Sequence, residues 1–277
     1  MNKTLSFLLC MCFLLDTTIA MSQTYKTESS IPYRQSSPDE YTTHQCVLDI
    51  YYPTDNTNFA TVVWFHGGGL TGGDKEIPQE LQNQGICIVG VRYRLCTDDR
   101  SAINADVKTS DCIDDAAAAA AWVMKNIEKY GGDRNRIFLA GHSAGGYLVS
   151  MIGFDKSRLA KYGVDADDFA ALIPYSGQMI THFHNRKQRG ISELQPLIDS
   201  EAPLYHIRKD CPPILLICGD RERELLGRYE ENAYCWRMLK LVGHPEVHLY
   251  ELDGFDHGSM ARPAHFIALE YIKNASH

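Results

Sequence analysis

The sequence lacks an excess of positive charge. Its 277 residues carry 27 Lys and Arg against 35 Asp and Glu, so the formal net charge is −8. No block of basic residues occurs anywhere in the chain. Proteins that bind nucleic acids depend on cationic contacts to phosphates, so we expect no nucleic-acid partner. Hydrophobic residues make up 44% of the chain, which is enough to bury a full core and excludes a disordered protein.

Apolar runs long enough to span a bilayer are also missing. The run Leu5–Leu15 is shorter than the about 20 residues that a transmembrane helix needs, so we expect no stable membrane insertion. Lys3 before the run and the small residues up to Ala20 after it are typical of a signal peptide over residues 1–20. We therefore expect cleavage near Ala20 and export to the periplasm or the extracellular space. The alternative is an apolar N-terminus on a cytosolic protein.

Cysteine pairs of the CxxC type are absent, which argues against a cysteine zinc site. The chain has nine cysteines, of which Cys10 and Cys12 lie in the expected signal peptide. The seven that remain are an odd number, so at least one thiol stays free even where export permits disulfides. The sequence leaves their pairing open. We expect neither a metal nor an organic cofactor.

Repeats, low-complexity tracts and linkers are missing as well, and strand and helix signals alternate along one predicted domain, residues 45–277. Residues 21–44 are polar and predict a mobile lead-in. Most predicted strands are apolar throughout, which is typical of a mainly parallel sheet covered by helices on both faces, an α/β fold. The predicted strands are Val47–Tyr52, Thr61–Phe65, Ile86–Tyr93, Ile137–Ala140, Phe169–Pro174, Ile214–Cys218 and Val247–Leu252. The predicted helices are Pro78–Gln84, Asp111–Tyr130, Tyr147–Phe154, Tyr229–Leu241 and Pro263–Lys273.

The segment 177–208 interrupts this alternation. It is long and polar, and insertions of that size usually form lids or disordered loops, so we expect a small cap over the site. His182 and His184 lie in this segment and are candidates for contacts with substrate, together with His142. The alternative for the two cap histidines is exposure to solvent.

The residues Gly141-His142-Ser143-Ala144-Gly145 fit the pattern GxSxG between a predicted strand and a predicted helix. The chain must reverse so sharply there that the serine takes a strained backbone conformation. The residues two before and two after must then have almost no side chain. We therefore predict that Ser143 is a nucleophile, exposed at the carboxyl end of its strand.

The residues His66-Gly67-Gly68-Gly69 follow another predicted strand, Thr61–Phe65. Glycines in such a loop allow backbone N–H groups to point at one oxygen without a side chain in the way. Together with the N–H of the residue after the serine, they predict an oxyanion hole. Its members are Gly67, Gly68, Gly69 and Ala144.

A serine nucleophile needs a base at the same edge of the sheet. His257 follows the last predicted strand and comes last in the order serine, acid, histidine. His66 and His142 belong to the two glycine motifs and are expected to brace loops. Three carboxylates, Asp220, Glu222 and Glu224, follow the strand Ile214–Cys218, and spacing alone does not choose among them.

The motifs together resemble the α/β-hydrolase superfamily, in its esterase and lipase branch with an HGGG motif. That branch includes hormone-sensitive-lipase-like esterases, carbohydrate esterases and kynurenine-formamidase-like amidases. The resemblance covers roughly residues 45–275. It rests on HGGG at 66–69, GHSAGG at 141–146, PPILLICGDRE at 212–222 and FDHGSM at 255–260. Family members usually place the acid three residues after the glycine that ends the strand. The resemblance therefore implies Glu222, where Asp is the usual residue, and Asp220 stays the alternative.

These motifs predict a serine esterase in which Ser143 attacks the carbonyl, His257 takes the proton and Glu222 orients the imidazole. We expect short-acyl esters as substrates, with acetyl or feruloyl groups on carbohydrates as candidates. The expected cap is too polar for the large apolar lid of a lipase. The alternatives are an amidase or peptidase with the same triad and a non-catalytic binding protein. The sequence does not indicate the oligomeric state.

Overall fold

A computed structural model describes residues 23–34, 39–225 and 227–275. The expected signal peptide, residues 1–20 with Cys10 and Cys12, lies outside the described residues. Within the described part of the chain, no helix combines the length and the apolar character needed to cross a bilayer.

In the described part of the chain, eight strands form one sheet, in the order β1-β2-β4-β3-β5-β6-β7-β8. From β4 to β8 every neighbouring pair is parallel, whereas β2 is antiparallel to both of its neighbours. A mainly parallel sheet confirms the predicted α/β fold. The strands are β1 Tyr25–Pro32, β2 Val47–Pro53, β3 Phe59–Phe65, β4 Cys87–Val91, β5 Gly132–His142, β6 Ala171–Tyr175, β7 Ile214–Gly219 and β8 Val247–Leu252.

Among the residues that the structure describes, seven α-helices connect and flank these strands. They are α1 Glu40–Gln45, α2 Thr109–Asn126, α3 Ala144–Phe154, α4 Lys156–Ala160, α5 Phe183–Gln188, α6 Arg228–Leu241 and α7 Ala261–Asn274. The helix predicted at Pro78–Gln84 is only a 3₁₀ turn, Gln79–Leu81. The helix predicted to end at Tyr130 leaves the α conformation after Asn126 and continues as a 3₁₀ turn.

Both faces of the sheet are buried, because side chains alternate across a strand. In β3, Val63 and Phe65 belong to one core cluster, which also contains residues of α2 and α3. Val62 and Trp64 belong to a second cluster, which contains residues of α7. This burial on both faces explains why β3 and β4 read as continuous apolar runs in the sequence.

The N-terminal part of the domain differs from the expected mobile lead-in at residues 21–44. Strand β1 lies there and pairs antiparallel with β2, with Tyr25 opposite Pro53. Helix α1 follows, and the Asp39 carboxylate accepts the N–H of Thr42 at its start. Strand β1 lies at the edge of the sheet, and most of its side chains are partly or fully exposed. Its composition is therefore as polar as that of a loop, and for this reason the sequence pattern did not predict the strand.

All seven cysteines from Cys46 to Cys235 are buried free thiols. The sulfur atoms of Cys96 and Cys112 lie 3.7 Å apart. Burial raises the pKa of Cys46 and Cys211 to about 12. The thiols of Cys46 and Cys211 therefore act as small apolar side chains of the core.

The segment 177–208 packs against the domain at its start, whereas residues 187–190 and most of 192–200 are exposed. Its residues Gln178–His182 are all buried, and the ring of His182 lies 5.0 Å from the ring of Tyr147 on α3. The Arg186 guanidinium of α5 donates to the carbonyls of Glu193 at 2.8 Å and Gln195 at 2.6 Å. These bonds tie the chain after α5 back onto that helix.

Candidate active site

The register of the parallel strands brings the two glycine motifs together. Phe65, the last residue of β3, pairs with Gly141 near the end of β5. The loop that starts at His66 and the turn at Ser143 therefore leave the sheet side by side. Ligands of open α/β sheets bind at this carboxyl edge, so the arrangement indicates a site there.

The turn at Ser143 has the strained geometry expected from the sequence. Ser143 has φ 56° and ψ −114°, and its N–H donates to the Tyr175 carbonyl at 2.8 Å. A Cβ atom on Gly145 would lie 1.9 Å from the Phe65 carbonyl oxygen, and one on Gly141 would lie 2.7 Å from the same atom. Only glycine fits at these two positions, and helix α3 begins directly after the serine.

Ser143, His257 and Glu224 form one continuous chain of hydrogen bonds. The Oγ of Ser143 lies 2.8 Å from Nε2 of His257. The Nδ1 of His257 lies 2.8 Å from Oε2 of Glu224. Ser143 follows β5, Glu224 follows β7 and His257 follows β8, so parallel strands deliver all three side chains to one edge.

The carboxylate beside His257 is Glu224, and neither Glu222 nor Asp220 occupies that place. The Asp220 carboxylate accepts the N–H of Glu222 at 2.9 Å and the N–H of Gly254 at 2.8 Å, so it braces two loops. Glu222 is exposed. The N–H of Glu224 returns to the Asp220 carbonyl at 2.8 Å, and this turn brings Glu224 back under the strand end. The family spacing therefore selects a residue two positions too early, although Glu224 was among the three candidates.

Hydrogen bonds hold Glu224 ionised. Its Oε1 accepts from the Gly219 N–H at 3.0 Å and from the Ser176 hydroxyl, and its Oε2 accepts from the Leu225 N–H at 3.0 Å. The side chain is 1% exposed, and burial by itself raises the pKa of the carboxyl. The hydrogen bonds from His257 and Ser176 outweigh burial and lower the pKa of Glu224 to about 2.

The loop after β3 lies directly against the serine. A Cβ atom on Gly67 would come within 3.4 Å of the Ser143 Cβ. Gly68 has φ 111°, and a Cβ there would lie 2.1 Å from the Gly72 carbonyl oxygen. Gly69 has φ 64°. The tight turn at Gly68 requires glycine, and the lack of a side chain at Gly67 leaves the backbone amides of the loop as the polar groups beside Ser143.

His142 braces the loop that carries His257. Its Nε2 lies 2.7 Å from the His257 carbonyl, and burial, with the nearby His257, lowers the pKa of His142 to about 4. At neutral pH the ring is therefore uncharged, and its Nε2–H donates to the carbonyl. The structure thus gives His142 a loop-bracing contact, as the sequence suggested.

His182 and His184 are both buried, so the alternative of solvent exposure is wrong. The Nδ1 of His182 accepts the N–H of His184 at 3.2 Å and caps helix α5. Its ring packs 4.4 Å from the ring of Phe183. Phe183 in turn covers the glycine loop, since a Cβ on Gly69 would lie 3.0 Å from its ring. Sequence reasoning missed Phe183 and Ser176 because neither belongs to a motif.

No group of three or more His, Cys, Asp and Glu side chains that could hold a metal ion occurs in residues 23–34, 39–225 and 227–275. The polar groups that converge at the edge of the sheet are instead a hydroxyl, an imidazole, a carboxylate and backbone amides. This set can carry out nucleophilic attack on a carbonyl with proton transfer through the imidazole.

The chain is similar to named hydrolases and esterases. It is 36% identical over 176 residues to pyrethroid hydrolase Ces2a of Mus musculus, which covers 58% of this chain and 30% of that protein. It is 26% identical over 220 residues to esterase LipC of Mycobacterium tuberculosis, which covers 70% of this chain and 50% of that protein. The chain thus spans half or less of the length of these curated relatives.

Solved esterase structures share the fold. A truncated form of a carbohydrate esterase from gut microbiota superposes with a TM-score of 0.73 at 16% identity, over 92% of this chain and 97% of that chain. Thermogutta terrifontis esterase 2 gives a TM-score of 0.68 at 20% identity, over 89% and 94%. These likenesses confirm the α/β-hydrolase fold. Residues 48–226 match the BD-FAE family. The chain therefore belongs to the BD-FAE family, a family of α/β-hydrolase-type esterases.

Proposed function

We propose that this protein is a serine carboxylic-ester hydrolase. The observation that carries the proposal is the hydrogen-bonded line of Ser143, His257 and Glu224, with 2.8 Å at each of its two contacts. As Ser143 attacks the ester carbonyl, His257 accepts its proton at Nε2. The ionised Glu224 accepts the Nδ1–H, which fixes the tautomer that leaves Nε2 free and stabilises the imidazolium that forms.

Backbone amides stabilise the negative charge that develops on the carbonyl oxygen. The proposed donors are the amides of the loop Gly67, Gly68 and Gly69 and that of Ala144. Ala144 is the first residue of α3, so its N–H has no partner within the helix and lies at the positive end of the helix dipole. The leaving alcohol takes the proton from His257. Water then hydrolyses the acyl-enzyme through the same imidazole.

The proposed substrates are short-acyl esters, with acetyl or feruloyl groups on carbohydrates as candidates. A cavity of about 260 Å³ lies beside the site, between segment 177–208 and the start of α6. This volume suits a small acyl or aromatic group better than a long fatty chain. The carbohydrate esterase from gut microbiota shares the fold, which is compatible with carbohydrate esters.

A chain-length series tests this proposal. Hydrolysis of p-nitrophenyl acetate, butyrate and decanoate is measured with the mature chain and with Ser143→Ala. We expect rates that fall with chain length and turnover that disappears in the variant, which should keep its fold because the change removes one oxygen. Ester hydrolysis that persists in Ser143→Ala contradicts the mechanism. Cleavage of formanilides in place of all esters shows an amidase.

Export also stays a proposal. It rests on the signal-peptide pattern of residues 1–20. Expression of the full sequence followed by N-terminal sequencing of the mature protein tests it. A mature N-terminus near Met21 outside the cytoplasm supports export, whereas an intact N-terminus in the cytoplasm contradicts it.

A further inference from the structure

The cavity beside the site has an unusual wall, and we call it the Arg228 cavity. Apolar side chains form one part of its lining and polar side chains, including two guanidinium groups, form the other. Its lining residues are Gln178, Phe183, Arg186, Glu193, Leu194, Leu225 and Arg228.

Arg228, the first residue of α6, is buried with little to bind. It is 3% exposed, and its Nη1 donates to the Ser176 carbonyl. Its Nε is buried without an acceptor. Among residues 23–34, 39–225 and 227–275, no carboxylate lies within ion-pair distance of this guanidinium. A buried cation with one neutral partner is costly, because a guanidinium in water has every N–H solvated.

Three other buried or half-buried arginines among the described residues are better paired. Arg34 and Arg94 both donate to the buried carboxylate of Asp115, at 2.8 Å in each case. Arg186, which also lines the cavity, donates to several backbone carbonyls. Arg228 is thus less completely satisfied than these three guanidinium groups, although the half-buried Arg136 also has an Nε without an acceptor.

The nearest acidic side chains do not accept hydrogen bonds from the Arg228 guanidinium. Glu231, one turn along α6, already accepts the N–H of Met179 at 2.8 Å and that of Ile180 at 3.4 Å. Glu193 lines the cavity but is exposed to solvent. The Glu231 carboxylate therefore acts on the charge of Arg228 only through space, and the cavity that Arg228 lines leaves room for an occupant that supplies an acceptor.

The Arg228 cavity adjoins the catalytic groups. The Ser176 residue that accepts from Arg228 donates its hydroxyl to Glu224. Leu225 in the cavity wall is bonded through its N–H to the same carboxylate. Phe183, on the other side of the cavity, packs over Gly69 of the glycine loop. A group bound in the cavity is therefore close enough to belong to a substrate whose ester is held at Ser143.

We propose that the Arg228 cavity binds a carboxylate of the substrate, so that the preferred ester carries a negative charge. This inference rests on the proposed ester hydrolysis. The Arg228 guanidinium donates to the carboxylate oxygens in a desolvated setting, where such bonds are strong and directional. The half-buried Phe183 covers one side of the pair, and Leu194 and Leu225, which are themselves exposed, form the apolar rim of the cavity. The carboxylate belongs to either of the two halves of an ester, the acyl group or the alcohol.

Two matched ester pairs distinguish these sources. Monomethyl adipate against dimethyl adipate places the charge on the acyl side, and 4-acetoxybenzoate against its methyl ester places it on the alcohol side. In the pair whose charge reaches the cavity, Arg228→Met should lower kcat/KM for the charged ester about 10- to 100-fold more than for the neutral ester. The pair that responds identifies the side of the ester that carries the carboxylate. We expect the loss mainly in KM, since the contact is made before the reaction. Arg228→Lys should restore part of the preference.

The matched control is Arg237→Met, which removes the same charge from an exposed position of the same helix and should leave both pairs unchanged. Equal losses on charged and neutral esters in Arg228→Met overturn the inference, because Arg228 then only supports Ser176 and Glu224. As a second test, calorimetry measures whether the wild-type protein binds adipate and dimethyl adipate. Binding of adipate alone supports the inference, and binding of neither contradicts it. Failure to hydrolyse any ester refutes the proposed function instead, and the calorimetry still tests the cavity.

Discussion

Glu224→Gln is the sharpest test of the proposed acid. The change keeps the size of the side chain and removes its charge. In the wild type, one carboxylate oxygen meets the His257 Nδ1 and the other meets the Gly219 N–H and the Ser176 hydroxyl. Gln must place its amide nitrogen at one of these two positions. An amide nitrogen that faces Nδ1 selects the tautomer with its proton on Nε2, and this imidazole cannot accept the proton of Ser143.

The expected loss of activity is large. In serine hydrolases the equivalent change of acid to amide lowers kcat about 10⁴-fold, which corresponds to roughly 5.5 kcal/mol in the barrier. The environment of Glu224 favours its ionised form, because it lowers the pKa of the carboxyl from 4.5 to about 2. That shift corresponds to a preference for the charged form of about 3 kcal/mol.

The assay is steady-state hydrolysis of p-nitrophenyl acetate at neutral pH, with Glu222→Gln and Asp220→Asn as matched controls. Glu222→Gln should retain kcat within about twofold, since its side chain is exposed. Asp220→Asn should change activity only indirectly, because it weakens the hydrogen bonds that brace two loops. If Glu222→Gln abolishes turnover while Glu224→Gln keeps it, the identification of the acid is refuted.

The same carboxylate predicts how stability depends on pH. The pKa of Glu224 is about 2 in the folded protein against 4.5 for an ordinary glutamate. Its charge therefore stabilises the fold above about pH 4.5, and this contribution is lost as the pH falls towards 2. Urea unfolding at pH 7 and pH 3 should show that the free energy of unfolding falls less in Glu224→Gln than in the wild type. An equal fall in both proteins contradicts this assignment.

Two further predictions concern the scaffold. Gly145→Ala should fail to fold or lose several degrees in Tm, because its Cβ would lie 1.9 Å from the Phe65 carbonyl oxygen; an unchanged melting curve by circular dichroism would contradict the tight turn. Asp115→Asn should cost about 3–5 kcal/mol in the free energy of unfolding, since it leaves Arg34 and Arg94 without their shared buried carboxylate. Denaturant titration measures this loss, and a change below about 1 kcal/mol would show that the two arginines find other partners.

Local sequence patterns predicted much of the fold. Continuous apolar runs predicted β3, β5, β6 and β7 because strands buried on both faces need apolar residues at every position. The same argument could not find β1, whose exposed position at the sheet edge permits polar side chains. It also overextended α2, since a 3₁₀ turn and the end of an α-helix differ by one hydrogen-bond register and carry the same residue types.

The sequence by itself determined where Ser143 and the glycine loop lie, because strained turns and close backbone approaches restrict the residue type at neighbouring positions. Only the tertiary structure decided that Glu224 faces His257, since a carboxylate's role depends on a turn that spacing does not encode. The same holds for Arg228. Whether its guanidinium has a partner depends on Ser176, which lies 52 positions away in the sequence, and on Glu231, whose carboxylate accepts a backbone N–H. Steric restrictions act between residues that are close in sequence, so the sequence shows them. Electrostatic partners come from distant parts of the chain and meet only when the protein packs.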